Sequence, residues 1–433
     1  MQVPSLNINL GRRGGVDVVG LDIQPGHVAA VQARVNGSIV VKHAVGAPLP
    51  ADTVREGEVL DEGVLSETLR ELFKDSRLSR RVRLGVANQR TVLRTLELPP
   101  VTDRKELAAA VNFQAQDQVP MPLSNAVLDF HPLGIFETPD GPRQRVVLVA
   151  AQRDMIQRLL AVVRDAGLRP EGVDLSAFAL IRSLYRRDAE HAGRVLYLNV
   201  DGLTNMAIAE GTTCSFTRVV GGGIEAMASE LAERRSIPLV DARALIAAFD
   251  LTVSVPDLAA QVAAAEAESE PPSVVDSDAP AAIAEEASSA GDVFESAEDQ
   301  DTREQAMSYS EMASVAQPSP KSDLEPSSAT SSSGAAEAPA DVRLVLENGI
   351  REIAGEVRNS LDFHRSQDGG GEVSLVVLSG SALDLPGFAE ALQEQLGVQV
   401  ERESVQLDEQ DLGGVSAHRL AIAAGLAVEE VPQ

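Results

Sequence analysis

Val18-Val-Gly-Leu-Asp-Ile-Gln-Pro-Gly-His27 and Val195-Leu-Tyr-Leu-Asn-Val-Asp-Gly-Leu-Thr-Asn205 are the two stretches whose reading decides the fold. Each is an apolar strand that ends in an acid or an amide and then turns at glycine. An antiparallel meander follows each of them. In the first half, His27–Arg34 and Ser38–His43 are strands joined by Asn36-Gly37, a dipeptide suited to the positive φ of a tight hairpin. In the second half, Asn205–Ala209 and Cys214–Val220 are strands turned at Asp201-Gly202 and Glu210-Gly211. A repeated opening of this sort predicts two similar lobes with a cleft between them, a favoured place for a ligand.

The rest of the chain fits an α/β alternation. Leu65, Leu69, Leu72 and Phe73 recur at helical spacing, and Val82–Val86 and Val92–Leu98 read as strands stopped by Pro99-Pro100. A helix is expected from Asp103 to Val119, with Thr102 or Asp103 as cap and Glu106 in its first turn. Val127–Leu133 and Arg145–Ala151 read as paired strands. Helices are expected around Ile156–Val163, Leu175–Tyr185, Ile224–Leu231, Asp241–Phe249, Ile350–Leu361, Phe388–Leu396 and Ala417–Val428. Glu372–Leu378 and Val398–Val400 read as late strands. The expected domains are a flexible terminus at 1–15, a first lobe at 16–100, and an inserted α/β unit at 101–175. The second lobe spans 176–255 and 342–433, interrupted by an acidic insert at 256–341.

Composition narrows the function. The 433 residues carry 37 Lys plus Arg against 65 Asp plus Glu, a formal net charge of −28. Nucleic-acid affinity rests on neutralising phosphates with cations, so no nucleic-acid partner is expected. Asp257 to Ala340 holds 18 acids against Arg303 and Lys321, which is −16 of that total. With so few large apolar residues this tract cannot offset its chain entropy and is expected to be disordered, as a solubilising insert or a tether. A single Cys, Cys214, excludes a disulfide framework and a multi-cysteine metal site, and is expected to be a small core residue. No run approaches eighteen apolar residues, and Met1 to Asn7 lacks a basic-then-apolar leader pattern, so the expectation is a cytoplasmic protein without direct membrane insertion. Arg80-Arg81-Val82-Arg83 is expected to be a solvated basic turn.

The candidate chemistry sits in turns. Asp22, Gln24 and Gly26 follow the first strand. Asn199, Asp201, Gly202 and Thr204 follow its counterpart. Gly222 and Gly223 open a helix, and Gly380 and Ser381 leave a late strand. Small residues let a backbone approach phosphate, helix-opening N–H groups suit an anion, and an acid at a strand end can hold Mg²⁺ through water.

In this order the turns resemble the actin-like ATPase superfamily, with its ribonuclease H-like lobes. By that resemblance Asp22 lies in a first phosphate loop and would face Mg, Asn199 to Asn205 form the second loop, and Ser379 to Ala382 form the adenosine loop. Val19-Gly-Leu-Asp-Ile23, Asn112-Phe-Gln-Ala-Gln-Asp-Gln-Val-Pro-Met-Pro122 with Asp129-Phe130 beyond, and Phe216-Thr-Arg-Val-Val-Gly-Gly-Gly223 resemble more closely the PilM family of type IV pilus assembly proteins, which is related to FtsA. The helix-to-proline step favours PilM over FtsA, as does the chain's stopping at Gln433 without a membrane helix.

The resemblance implies ATP and Mg as ligands and a scaffold that binds the cytoplasmic tail of a PilN-like membrane protein, in a groove between the first lobe and the inserted unit. It also implies other pilus proteins as partners, self-association, and a place at the inner face of the membrane held through the partner. The departures matter. Ala29 stands where the family has Lys, and Asn199 and Asp201 stand where it has Asp and Gly. Arg243 is the only cation near the helix that should carry another Lys. A neutral amide cannot act as general base, so nucleotide binding with little or no hydrolysis is expected, a degenerate ATPase with no catalytic residue. Ile8-Asn9-Leu10 resembles the core of the PilN tail motif; it is either a segment that occupies the same groove on its own or a neighbouring molecule, or a coincidental triplet in an unstructured N-terminus. The alternatives are an FtsA-like or type II secretion-like adaptor, and an active ATPase or kinase of the same superfamily.

Overall fold

In a computed structural model of the protein, residues 18–187, 193–253, 334–367, 370–408 and 415–429 are described. The 1–15 terminus, Ile8-Asn9-Leu10 and almost all of the 256–341 insert lie outside them.

The first half builds β1 (Val19–Gln24), β2 (His27–Asn36), β3 (Ser38–Pro48), β4 (Val54–Arg55), β5 (Glu58–Val59), α1 (Glu62–Lys74), β6 (Arg81–Val86) and β7 (Val92–Leu98). It continues with α2 (Arg104–Gln118), β8 (Ala126–Thr138), β9 (Gly141–Gln152), α3 (Arg153–Asp165), β10 (Arg169–Leu175) and α4 (Ser176–Leu184). The second half builds β11 (Arg194–Val200), β12 (Thr204–Glu210), β13 (Thr213–Val220), α5 (Ile224–Arg235), α6 (Leu239–Ala247) and α7 (Gly334–Ser366). It closes with β14 (Leu375–Ser379), α8 (Phe388–Leu396), β15 (Gln399–Arg402), β16 (Gln406–Leu407) and α9 (Ala421–Ala427).

The two main sheets repeat one topology. The first has the order β10-β6-β1-β2-β3-β16, and the second β13-β12-β11-β14-β15. In each, a three-stranded antiparallel meander is extended from its first strand by two parallel strands, β6 and β10 beside β1, and β14 and β15 beside β11. Parallel strands must be covered on both faces, and both central strands are accordingly almost wholly buried. The first meander turns where expected, with Gly37 at φ 70° between paired Asn36 and Ser38.

Alternation along the strands sorts side chains into three layers. Val28 and Ala30 of β2 face outward with Leu65, Leu69 and Ile156 from α1 and α3. Ala29 and Val31 face inward into a core shared with β11, α4 and α9. On the far side of the second sheet, Leu196 and Leu198 pack with Met227, Ile353 and Leu392. The middle layer joins the lobes, because α4 lies against β11 and β12 while α9 returns to lie against β1 and β2. Gly425 makes the α4–α9 contact possible, since a Cβ there would sit 1.9 Å from the Ala179 carbonyl oxygen.

Four expectations change. β7, read as part of the first lobe, pairs with β9 in a separate three-stranded sheet, β7-β9-β8, because its buried Val92, Leu96 and Leu98 face α2 rather than β6. β10, read as part of the inserted unit, is the edge strand of the first sheet. The final helix begins as a 3-10 turn at Ala417–Leu420 before α9. The basic cluster is no solvated turn: Arg81 and Arg83 lie in β6, and Arg83 donates to the Leu426 and Val428 carbonyls at 3.0 and 3.1 Å and pairs with Glu429. A cation there complements the C-terminal end of α9.

Candidate functional site: a polar cleft and a lateral groove

β1 and β11 end side by side, so both glycine turns meet at the lobe boundary. Their contact is direct, since a Cβ on Gly202 would lie 2.2 Å from the Pro25 carbonyl oxygen. Glycine here allows close lobe-to-lobe packing, besides any phosphate contact. Gln24 ties the turns together: its Oε1 accepts from the Leu203 N–H at 3.3 Å and its Nε2 donates to both Asp22 oxygens at 3.2 and 3.3 Å.

Asp22 is sealed behind Gln24, and burial, reinforced by the nearby Asp201 charge against the opposing Gln24 hydrogen bond, pushes its pKa up to about 7. Asn199 is equally buried, its Oδ1 accepting from Ser379 Oγ at 3.0 Å. Thr204 donates to the Gly222 carbonyl. Negative charge is instead displayed at Asp201. Its Oδ1 accepts from Ser381 Oγ at 2.7 Å and lies 3.8 Å from Arg419 Nε, and its Oδ2 lies 3.5 Å from His27 Nε2. That last contact is not a hydrogen bond, and burial holds the His27 pKa below its ordinary value despite Asp201.

On either side of the touching turns lie two chambers that share Pro25, Gly26, Gly202 and Glu225. The larger, about 800 Å³, is bounded by the β4–β5 hairpin, Gln89, the end of β13 with Gly222, and α7. The smaller, about 410 Å³, is bounded by Asp201, Ser381, Asp384, Arg243 and Arg419. Across it runs a strap: Arg243 pairs with Glu225 (Nε to Oε2 2.9 Å) and donates to the Leu49 carbonyl of the first lobe at 3.3 Å.

Of the sequence candidates, Gly26 and Gly202 line both chambers, Asp201 and Ser381 the smaller, and Gly222 the larger. Gly223 and Gly380 support the turns as backbone, the latter donating to the His418 carbonyl at 3.1 Å. Asp22, Gln24, Asn199 and Thr204 line neither chamber. Asp22 does not fit a Mg²⁺ ligand: it is buried behind Gln24, whose Nε2 contacts both its oxygens, and it reaches neither chamber. For a nucleotide the smaller chamber offers two guanidiniums, but Glu225 holds one and Asp201 flanks the other. His27, Glu225, Asp384 and Arg419 were missed because they come from four separate segments; only Glu225, an acid opening a helix after three glycines, left a local trace.

A second concavity, about 200 Å³, opens beside the three-stranded sheet. Its walls are His131 and Leu133 of β8, Phe178, Ile181 and Arg182 of α4, and Thr212 to Cys214 at the β12–β13 turn. β8 is an edge strand, so among the described residues its outer side has no strand partner. Arg182 is anchored to Asp174 and the Gly425 carbonyl. Cys214 belongs to the middle core, as expected, with burial pushing its thiol up to about 12, and it also reaches the groove. The groove thus takes a wall from the second sheet as well as from α4 of the middle layer and the small sheet. Among the described residues no group of His, Cys, Asp and Glu is arranged to hold a metal, and no helix is long and apolar enough to cross a membrane.

Two sheets of this repeated topology, with crossing helices between them and a cleft at their strand ends, define the actin-like, ribonuclease H-like fold. Residues 20–213 match the family model for the type IV pilus assembly protein PilM, so the resemblance read from the sequence is borne out over that stretch. A solved structure described as the PilM–PilN type IV pilus biogenesis complex is similar at 20% identity and a TM-score of 0.63, covering 95% of this chain and 98% of that one. The ethanolamine utilization protein EutJ from Carboxydothermus hydrogenoformans is more distant, at 14% identity and a TM-score of 0.43 over 95% of this chain and 88% of that one. MreB 5 of Spiroplasma citri, bound to AMPPNP, has 9% identity and a TM-score of 0.42 over 94% of each chain.

Proposed function

We propose that this chain is a scaffold of type IV pilus assembly that holds the cytoplasmic tail of a PilN-like membrane protein in the lateral groove, and is thereby kept at the inner face of the membrane. The observation that carries this reading is the groove itself. An unpaired edge strand offers main-chain hydrogen bonds, and Leu133, Phe178 and Ile181 offer apolar contacts, the combination by which folded domains take up an extended peptide. The family match and the similarity to a PilM–PilN complex support it.

The interlobe cleft is the place for a nucleotide, held by Gly26, Gly202, Ser381, Arg243 and Arg419, with little or no turnover because Asp22 is sealed and Asn199 is neutral. Since the β12–β13 turn is both a wall of the groove and part of the second sheet, a change in lobe angle would alter the groove. Cleft and groove would then be coupled reciprocally.

A fluorescent PilN-tail peptide titrated with the full chain tests this. Leu133→Asp, at a residue already 40% exposed, should weaken the peptide by about tenfold or more without loss of stability. Unchanged affinity would remove the groove from the proposal. Equal affinities with and without Mg–ATP would remove the coupling.

A further inference from the structure

Asn205 lies at the start of β12, just beyond the second glycine turn, and is 1% exposed, yet among the described residues neither its Oδ1 nor its Nδ2 has a hydrogen-bond partner. Few buried amides are left so, because the group forfeits its water without replacement. The side chain lines a closed-in chamber of about 70 Å³ between the lobes. Val86, Asn88, Gln89 and Thr91 line it from the first lobe, and Thr217 to Val219 from the second. Thr91, which lines the same chamber, likewise has a buried Oγ1 without a partner among the described residues. Asn88 is not short of partners, since its Nδ2 donates to the Glu56 carbonyl at 2.8 Å and its Oδ1 accepts from the Arg90 N–H at 2.8 Å. Among the described residues the unmet demand on this chamber is therefore one amide of the second lobe and one hydroxyl of the first, on a lining of mixed polar and apolar character.

We infer that this chamber is a hydration site in which ordered water bridges Asn205 to Thr91 and so joins the two lobes. At about 30 Å³ per molecule the space holds about two waters, and a buried water needs two to four polar partners, which the amide, the hydroxyl and a second water supply. The waters enter from the larger chamber of the cleft, with which this space shares Gln89, Arg218 and Val219. A bridge of water can exchange partners as the lobes tilt, whereas a direct side-chain hydrogen bond would fix their angle.

The full-length unsubstituted chain gives the direct test. A high-resolution crystal structure should show water within hydrogen-bond distance of Asn205 Oδ1 or Nδ2 and linked to Thr91 Oγ1. In solution the Asn205 side-chain amide protons should show an NMR cross-relaxation signal to long-lived water. A dry chamber, or an Asn205 paired directly with a protein group, overturns the inference. As a second measurement, Thr91→Val should shift the unfolding equilibrium about threefold less in an Asn205→Ala background than alone, because the shared water is already lost. Strict additivity of the two substitutions overturns the bridge.

Discussion

The two lobes carry the same strand order but treat the polar end of their central strand in opposite ways. In the first, a carboxyl stands at the end of β1, and the fold seals it behind Gln24 and makes it hold its proton to about pH 7. In the second, the corresponding region of β11 offers the amide Asn199, paired with Ser379. The carboxyl group stands instead at Asp201, equally buried but lining the smaller chamber, among Ser381, Arg419 and His27. A repeat of topology is therefore no repeat of chemistry. The backbone places both strand ends at the same boundary, and the side chains decide which lobe shows charge to the cleft.

The largest expected effect comes from removing the first lobe's titration. In the unfolded chain Asp22 loses its proton near pH 3.8, and in the fold near 7. Between those values the folded state binds the extra proton. Stability from this residue is thus greatest at low pH and is lost as pH rises, by as much as about 4 kcal/mol above pH 7. Asp22→Asn should remove that slope and leave the protein more stable than wild type at pH 8. His27 runs the other way: its pKa is lowered from 6.5, so its contribution is full above 6.5 and is lost as pH falls below that value. Urea unfolding of both proteins from pH 5 to 8 checks this. A parallel pH profile for the two would show that Asp22 is not the buried proton holder.

Asp201→Asn probes the other side of the comparison. It removes the charge that Arg419 and His27 face while keeping an acceptor for Ser381, and should cost about 1–3 kcal/mol in the unfolding free energy. The charge of Asp201 raises the pKa of both Asp22 and His27, so both should titrate lower in the variant. NMR titration of His27 that is identical in the two proteins would show the lobes to be electrostatically independent.

Much of this boundary was legible from residue order, and the reasons are local. Strand alternation and glycine turns announce themselves within ten residues, so β1–β3 and β11–β13 were read correctly, along with Asp201, Gly202 and their place at the lobe junction. The cap was narrowed to Thr102 or Asp103, and it is Asp103 that accepts from the Lys105 and Glu106 N–H groups. What failed depends on distant partners. β4, β5 and β16 have two residues each, too few for any period to show. β7 has a strand's pattern, but nothing in it says that β9 rather than β6 is its neighbour. The inward burial of Asp22 follows from a glutamine two residues on that turns back over it, and the same residues would fit an open loop. The strap from Arg243 of α6 to Glu225 of α5 and to Leu49, just beyond β3, joins two lobes, so its residues are silent when read singly.

The smallest effect is the most informative about the turns. Gly202→Ala puts a methyl group 2.2 Å from a backbone oxygen of the opposite lobe, which cannot move aside as a side chain would, and should cost about 1–3 kcal/mol in thermal or urea unfolding. Gly222→Ala, on the wall of the larger chamber, meets nothing within 4 Å, and Gly222 is not among the residues with positive φ. Packing gives no reason for glycine there, so stability should stay within about 0.5 kcal/mol of wild type. If a nucleotide phosphate comes to rest against that stretch of backbone, the added methyl should weaken Mg–ATP binding even so, measured by calorimetry on the folded variant. A Gly222→Ala protein with both stability and nucleotide affinity unchanged would confine the nucleotide to the smaller chamber, where Gly26 and Gly202 but not Gly222 form the wall.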